Sequence, residues 1–477
     1  MALTTANIKS SKDCVSTMAL SKRGQEWADM SGDLLIWKII RDLWDPNTNP
    51  GGYVSLGVAE NSLMHDELTK FIHENIKLPK NGLTYGDGGM GSKRLQQEMA
   101  RFLTRKLSAA VQIEPSHVSI TNGVTSAIEH LSNVLANPGD AILLGQPHYV
   151  AFIDDMQLRP GTEVVRIPFH DVDPLSLGAI AAYETAIKSC QAKNQRVAAI
   201  MLCNPHNPLG RCYSRDFIIE LMKLCQKYDV HLISDEIYAM SVFRSTDPSD
   251  PSVIPFTSLS SIPTEGLINP SLTHLLYGIS KDFGANGLRI GCIVSQHNPE
   301  LLKALIPLSI HSYASSLAES ITATILSDNN FVDWYISENQ KRLKANYDLV
   351  TAWATKHNIE YAKGVNAAFF LWFNLGDVYL ANQQKVKSAG QDKTTEEEVQ
   401  VPQDPPAKSD ATVTVDASKV DERTMAALID QKIFLAAGTA FGSEKPGWFR
   451  IVYSQDQLNL NEGLRRIERA LGLSSEI

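Results

Sequence analysis

Between residues 117 and 295 six short runs, HVSI, DAILLG, RVAAIMLCN, VHLISDEIY, HLLYGIS and IGCIVS, recur along the chain. Each is nearly continuous in apolar residues, as strands buried on both faces are. The stretches between them, such as TSAIEHLSNVLAN and RDFIIELMKLCQKYD, read as helices. That alternation predicts an α/β fold built on a mostly parallel sheet. A helical pattern from 298 to 356 then leads to a second β-rich region, NAAFFLWFNL, KIFLAAG and WFRIVYS, which reads as a smaller α+β domain.

The rest of the chain bounds the problem. A formal charge of −9 argues against nucleic acid or an anionic membrane as the main partner. No run of 18 apolar residues suggests a membrane span, and the N-terminal residues lack the apolar core of a secretory signal. The six cysteines show no metal-ligand spacing, so the expectation is a reduced, metal-free, cytoplasmic enzyme. Residues 1–30 read as a flexible arm. The segment 382–418, rich in charge, Pro, Ser and Thr, reads as a disordered insertion. The expected organisation is a segment 31–63 joining the small domain, a large domain over 64–310 and a small domain over 311–477.

In open α/β sheets ligands bind beyond the carboxyl ends of the strands. There the runs deliver Asn204, Asp235 with Tyr238, Ser280 with Lys281, and Tyr149; the first run delivers the turn TNGVTS. Each has a plain alternative: a loop lysine, an N-cap aspartate, turn asparagines, core tyrosines. Together they match one cofactor, pyridoxal 5′-phosphate (PLP). Its aldehyde takes a lysine, Lys281, and its ring nitrogen an acid, Asp235. Its ring takes an aromatic face, Tyr149. Asn204 and Tyr238 would serve its phenolic oxygen. Its phosphate takes a helix N-terminus at Val124 and Thr125, with Arg289 adding a planar fork.

The motifs SLGVAENSL, NPHNPLG, SDEIY, SKDFGANGLRIG and PGWFRI resemble those of fold-type I PLP enzymes. The match is to class I/II aminotransferases, in their 1-aminocyclopropane-1-carboxylate (ACC) synthase-like branch, over roughly 30–375 and 420–470. The resemblance implies that Lys281 forms the Schiff base and moves protons, and that Ser280 joins the phosphate cradle. It implies that Arg450 binds the substrate carboxylate and that Glu60 lies near the substrate. Tyr85 would reach the phosphate of a neighbouring subunit, which implies a homodimer. Where the family often has a phosphate-binding serine, this chain has Gly278. PHYVA stands in place of PYYPG, and TYGDGGMGSKRL in place of a YHGLPEFR-like segment. An aminotransferase acting on an amino acid is the leading expectation. The alternatives are an ACC synthase-like or C–S lyase and, from another class, a catalytically silent binding protein of the same fold.

Overall fold

The computed structural model describes residues 20–30, 35–244, 250–391 and 419–473. Strand β1 (Val54–Ser55) stands apart from the main sheet. That sheet comprises β2 (Val118–Asn122), β3 (Ala141–Gly145), β4 (Glu163–Ile167), β5 (Val197–Cys203), β6 (His231–Asp235), β7 (Thr273–Gly278) and β8 (Ile290–Val294). Its order is β2-β8-β7-β6-β5-β3-β4. All pairs are parallel except those of β8, which runs antiparallel to both β2 and β7. Every residue of β5 and of β8 is buried. Helices cover both faces, which is why these strands carry no polar alternation.

The later chain adds β9 (Phe370–Asn374), β10 (Ile433–Phe434), β11 (Ala436–Ala437) and β12 (Trp448–Val452). Strands β11, β12 and β9 form an antiparallel sheet, and β10 pairs in parallel with β1. The pairing of β1 with β10 brings residues near 54 onto the C-terminal part of the chain. One apolar core is continuous between the two sheets, from Val124 and Ile128 through Tyr238 to Phe369, Phe370 and Ile451. The 28-residue helix Asn329–Lys356 crosses this junction, and its Asn346 donates to the Tyr453 carbonyl at 2.7 Å.

Two details differ from expectation. The helix Leu375–Gln391 covers the first ten residues of the segment expected to be disordered, and Asn382 is tied to the Leu471 carbonyl at 2.9 Å. Its sequence, LGDVYLANQQKVKSAGQ, is rich in good helix formers. Residues 392–418 lie outside those described, as do residues 1–19 of the expected arm. The rest of that arm contains a helix, Lys22–Met30, with no buried residue. No helix among the described residues is long and apolar enough to cross a membrane.

Candidate active site

The chemistry-bearing residues gather where β5, β6 and β7 end and β8 begins. Asp235 closes β6 and is buried, with one carboxylate oxygen accepting the Ile237 N–H at 3.2 Å. Burial pushes its carboxyl up to about 7, against the pull of that N–H and of Lys281. Lys281 sits in a one-turn helix, Ile279–Asp282, directly after β7. Its neighbour Asp282 is buried and accepts from the Met240 N–H (2.9 Å), the Ser241 hydroxyl (2.6 Å) and the Tyr277 hydroxyl (3.1 Å). Those bonds tie the segment after Asp235 to the turn that carries Lys281. Burial, then Arg450, lower the Lys281 ammonium to about 8; Arg289 acts the same way, while Glu60 and Asp235 oppose it. Lys281 Nζ donates to the Ala59 carbonyl at 2.6 Å.

The end of the site beside β2 is made by backbone. The helix Gly123–Leu135 follows β2, and Asn122 gives it no side-chain cap, so its first N–H groups have no side-chain acceptor there. Gly123 has φ +78°, and a Cβ on it would enter the space held by the Arg289 guanidinium. A Cβ on Gly291 would lie 2.6 Å from Gly123 C and Val124 N. Glycine at both places is what lets β8 and the helix N-terminus approach. Arg289, itself at φ +55°, donates from Nη1 to the Asn286 carbonyl at 3.0 Å.

Arg450 projects from β12 and is only 4% exposed. Its guanidinium lies 5.1 Å from the Phe370 ring centroid and 4.8 Å from that of Phe441. Nη1 donates to Asn207 Oδ1 at 2.9 Å and Nη2 to the Gly57 carbonyl at 2.7 Å, while Nε has no partner. Burial lowers the Arg450 pKa from its ordinary value.

A cavity of about 280 Å³ joins these parts, lined by Val124, Thr125, Tyr149, Asp235, Tyr238, Ser280, Lys281 and Arg289. Tyr149 meets Phe152 edge-on at 5.3 Å. Asn204 is not among the residues lining the cavity, and Asn207 is. Asn204 spends its amide donating to the Thr257 carbonyl (2.9 Å) and accepting the Tyr213 N–H (3.2 Å). Asn207 faces the cavity and joins Arg450 to the Tyr238 hydroxyl, to which its Nδ2 donates at 3.4 Å. Its signal was present as the second asparagine of NPHNPLG. Asp155, Cys203 and Asn286 also line the cavity, without having been singled out by sequence. Glu60 is exposed at the edge, accepting from Asn286 Nδ2 at 2.7 Å. Tyr85 is 89% exposed and faces a different concavity, shared with Lys77, Asp87 and Tyr313.

A family model, aminotransferase class I and II, matches residues 52–467. The chain belongs to this family. 1-Aminocyclopropane-1-carboxylate synthase 7 of Arabidopsis thaliana is 32% identical over 349 residues, 70% of this chain and 75% of its own length. A probable aminotransferase, sirI of Leptosphaeria maculans, is 30% identical over 447 residues, 92% of this chain and 95% of its own length. Among solved structures, aspartate aminotransferase from Thermus thermophilus with maleate superposes with TM-score 0.68 at 18% identity, covering 95% of this chain and all of that one. The fold is that of fold-type I aminotransferases.

Class I and II aminotransferases use PLP, and this family member has residues that fit it. The glycines at 123 and 291 leave a cradle that a Cβ would fill. Asp235 is a buried acid close to neutrality, a state that a cationic ring nitrogen beside it would relieve. Lys281 stands near enough to influence that acid, with its own pKa lowered to about 8.

Proposed function

We propose that the chain is an aminotransferase that binds an amino acid by its carboxylate and moves the α-proton with Lys281. The observation that carries this reading is that Lys281 and Asn207 line one cavity, while the buried Arg450, from the other sheet, donates to Asn207 and acts electrostatically on Lys281. PLP, when bound, supplies an electrophilic aldehyde and a protonated ring that accommodates the charge left by the departing α-proton. Asp235 would keep a proton on that ring nitrogen, and Tyr149 would offer the ring an aromatic face. Tyr238 and Asn207 offer hydrogen bonds to its phenolic oxygen. Arg289, Ser280 and the N–H groups of Val124 and Thr125 would hold its phosphate. Arg450 presents a planar fork to the substrate carboxylate. Lys281, lowered to about 8 by burial, has a substantial neutral fraction at the pH of the cell and serves as the base.

The proposal includes a homodimer in which Tyr85 reaches the partner's phosphate site. Tyr85 and Tyr313 face one concavity, with Leu83 and Leu317 exposed beside it, so an apolar face is available for a second copy. All five cysteines among the described residues are free and buried, which suits the reducing cytoplasm proposed as its location.

A second reading, elimination or ring closure instead of transfer, is favoured by the relatives named as ACC synthases. One experiment separates the two. The visible absorption of the PLP-loaded protein is followed while candidate amino acids are added without any 2-oxo acid. Bleaching that a 2-oxo acid reverses supports transfer. A persistent band with consumption of substrate supports the second reading. No response to any amino acid would sink both.

A further inference from the structure

Asp155 lines the cavity but has no place in the chemistry described above. It lies on the short helix Phe152–Gln157, six residues after Tyr149, and its Oδ2 is buried without a hydrogen-bond partner. A buried carboxylate oxygen left unpaired is costly, so a group of this kind is either neutral or answered by something bound.

We propose that Asp155 is a positioning residue that acts through Asp235: in the PLP-loaded protein the two carboxyls carry one negative charge between them, the charge on Asp235 and the proton on Asp155. This deepens the reading of Asp235 as partner of the cofactor's ring nitrogen and rests on it. Two carboxyls facing one cavity oppose each other's ionisation. The asymmetry between them is structural. Asp235 has the Ile237 N–H at 3.2 Å and the attraction of Lys281 to favour its anion. The charges acting on Asp155 are negative, Asp154 on its own helix and Asp235 across the cavity. The cationic groups that line the cavity are engaged elsewhere, Lys281 with the Ala59 carbonyl and Arg289 with the Asn286 carbonyl. On the neighbouring helix Gly123–Leu135, Glu129 is paired with Arg159 at 3.6 Å. Tyr149 is influenced by Asp155 and Asp235 alike, which places its hydroxyl in the field of both. Burial, then Asp154, then Asp235 push the Asp155 carboxyl up to about 7. A neutral Asp155 leaves a single anion to face a single cationic N–H.

The test uses the full-length PLP-loaded protein and two readouts that involve no turnover, so failure of the aminotransferase reading would not affect it. PLP affinity by equilibrium dialysis and the visible spectrum of bound PLP are recorded from pH 5.5 to 9. The variants are Asp155→Asn, Asp235→Asn and the double variant. Asp155→Asn fixes the neutral state, so it should hold PLP within about threefold of the parent at pH 6 and lose the ionisation near pH 7. Asp155→Ser, smaller and equally neutral, should give the same flattened profile. Asp235→Asn should weaken PLP by about tenfold or more, and the double variant should be no weaker than Asp235→Asn alone. The proposal is overturned by any of three results: a tenfold loss at pH 6 in Asp155→Asn, an unchanged profile near pH 7, or losses that add in the double variant.

Discussion

Two asparagines three residues apart, each followed by proline, have opposite fates. Asn204 directly follows β5, and a rule that looks for ligand groups at strand ends selects it. Its backbone N–H still bonds to the Asp235 carbonyl at 2.8 Å, so the residue remains part of the ladder and its side chain is spent on the loop's own backbone. Asn207, three residues further out, clears the sheet edge. Asp235, Lys281, Tyr149 and Tyr238 were legible as lining residues because each lies within four residues of the end of an apolar run, and Arg289 stood out as the arginine of the glycine-punctuated loop just before the last one. Asp155 was not legible, since an acid in FIDDMQ reads as the outer face of a short helix until the cavity is seen. Substitution should separate the asparagines. Asn207→Ala should raise KM for the amino acid by about tenfold or more, because Arg450 loses the partner that aims its fork. Asn204→Ala should instead cost about 1–3 kcal/mol of stability with KM changed little, because it leaves the buried Tyr213 N–H without an acceptor. Steady-state kinetics and urea midpoints check the pair; a KM effect confined to Asn204→Ala would reverse the assignment.

At the scale of elements, the alternation of runs and helices made the main sheet legible, because parallel strands covered on both faces must be apolar throughout. The reversal of β8 left no such mark. Its five residues, IGCIV, are as buried as those of a parallel strand, so direction is not written in their composition. Nor does composition explain Gly278. As a family departure it suggests one lost hydroxyl contact to phosphate. In the fold, a Cβ at 278 would sit 2.9 Å from the Ile290 carbonyl oxygen and 3.0 Å from Val124 Cγ2, against the antiparallel partner strand and the cradle helix. The space for a side chain has been given to close packing of β7 on its neighbours. Gly278→Ser should therefore destabilise the protein by about 1–3 kcal/mol and weaken PLP binding, not strengthen it. Denaturant midpoints with and without PLP test this, and tighter PLP binding in the variant would contradict it.

For the molecule as a whole, the site sets stability against function. Asp235 is raised to about 7 in the folded PLP-free chain, whereas an unfolded aspartate titrates near 4. Between those pH values the folded state holds the extra proton, so this residue's contribution to stability is full below about pH 4 and is lost as pH rises through 7. The PLP-free Asp235→Asn protein should therefore equal the parent near pH 4 and gain on it by up to about 1.4 kcal/mol per pH unit through that window. Thermal unfolding across pH 4 to 8 reads the difference, and a gap that shrinks with rising pH would contradict it. The same variant should hold PLP poorly, so what strengthens the empty chain weakens the loaded one. The antiparallel course of β8 has a further consequence. Since β7 and β8 are paired up to Gly278 and Gly291, the eleven-residue connection from Ile279 to Arg289 is a closed loop that carries Lys281 at one end and Arg289 at the other. That loop works as a caliper. The sheet's hydrogen bonds hold the two ends of the loop, so the spacing between amine and guanidinium is set by the number of residues in the loop between them. A single residue inserted between 282 and 288 would change the gauge while leaving every contact residue in the sequence.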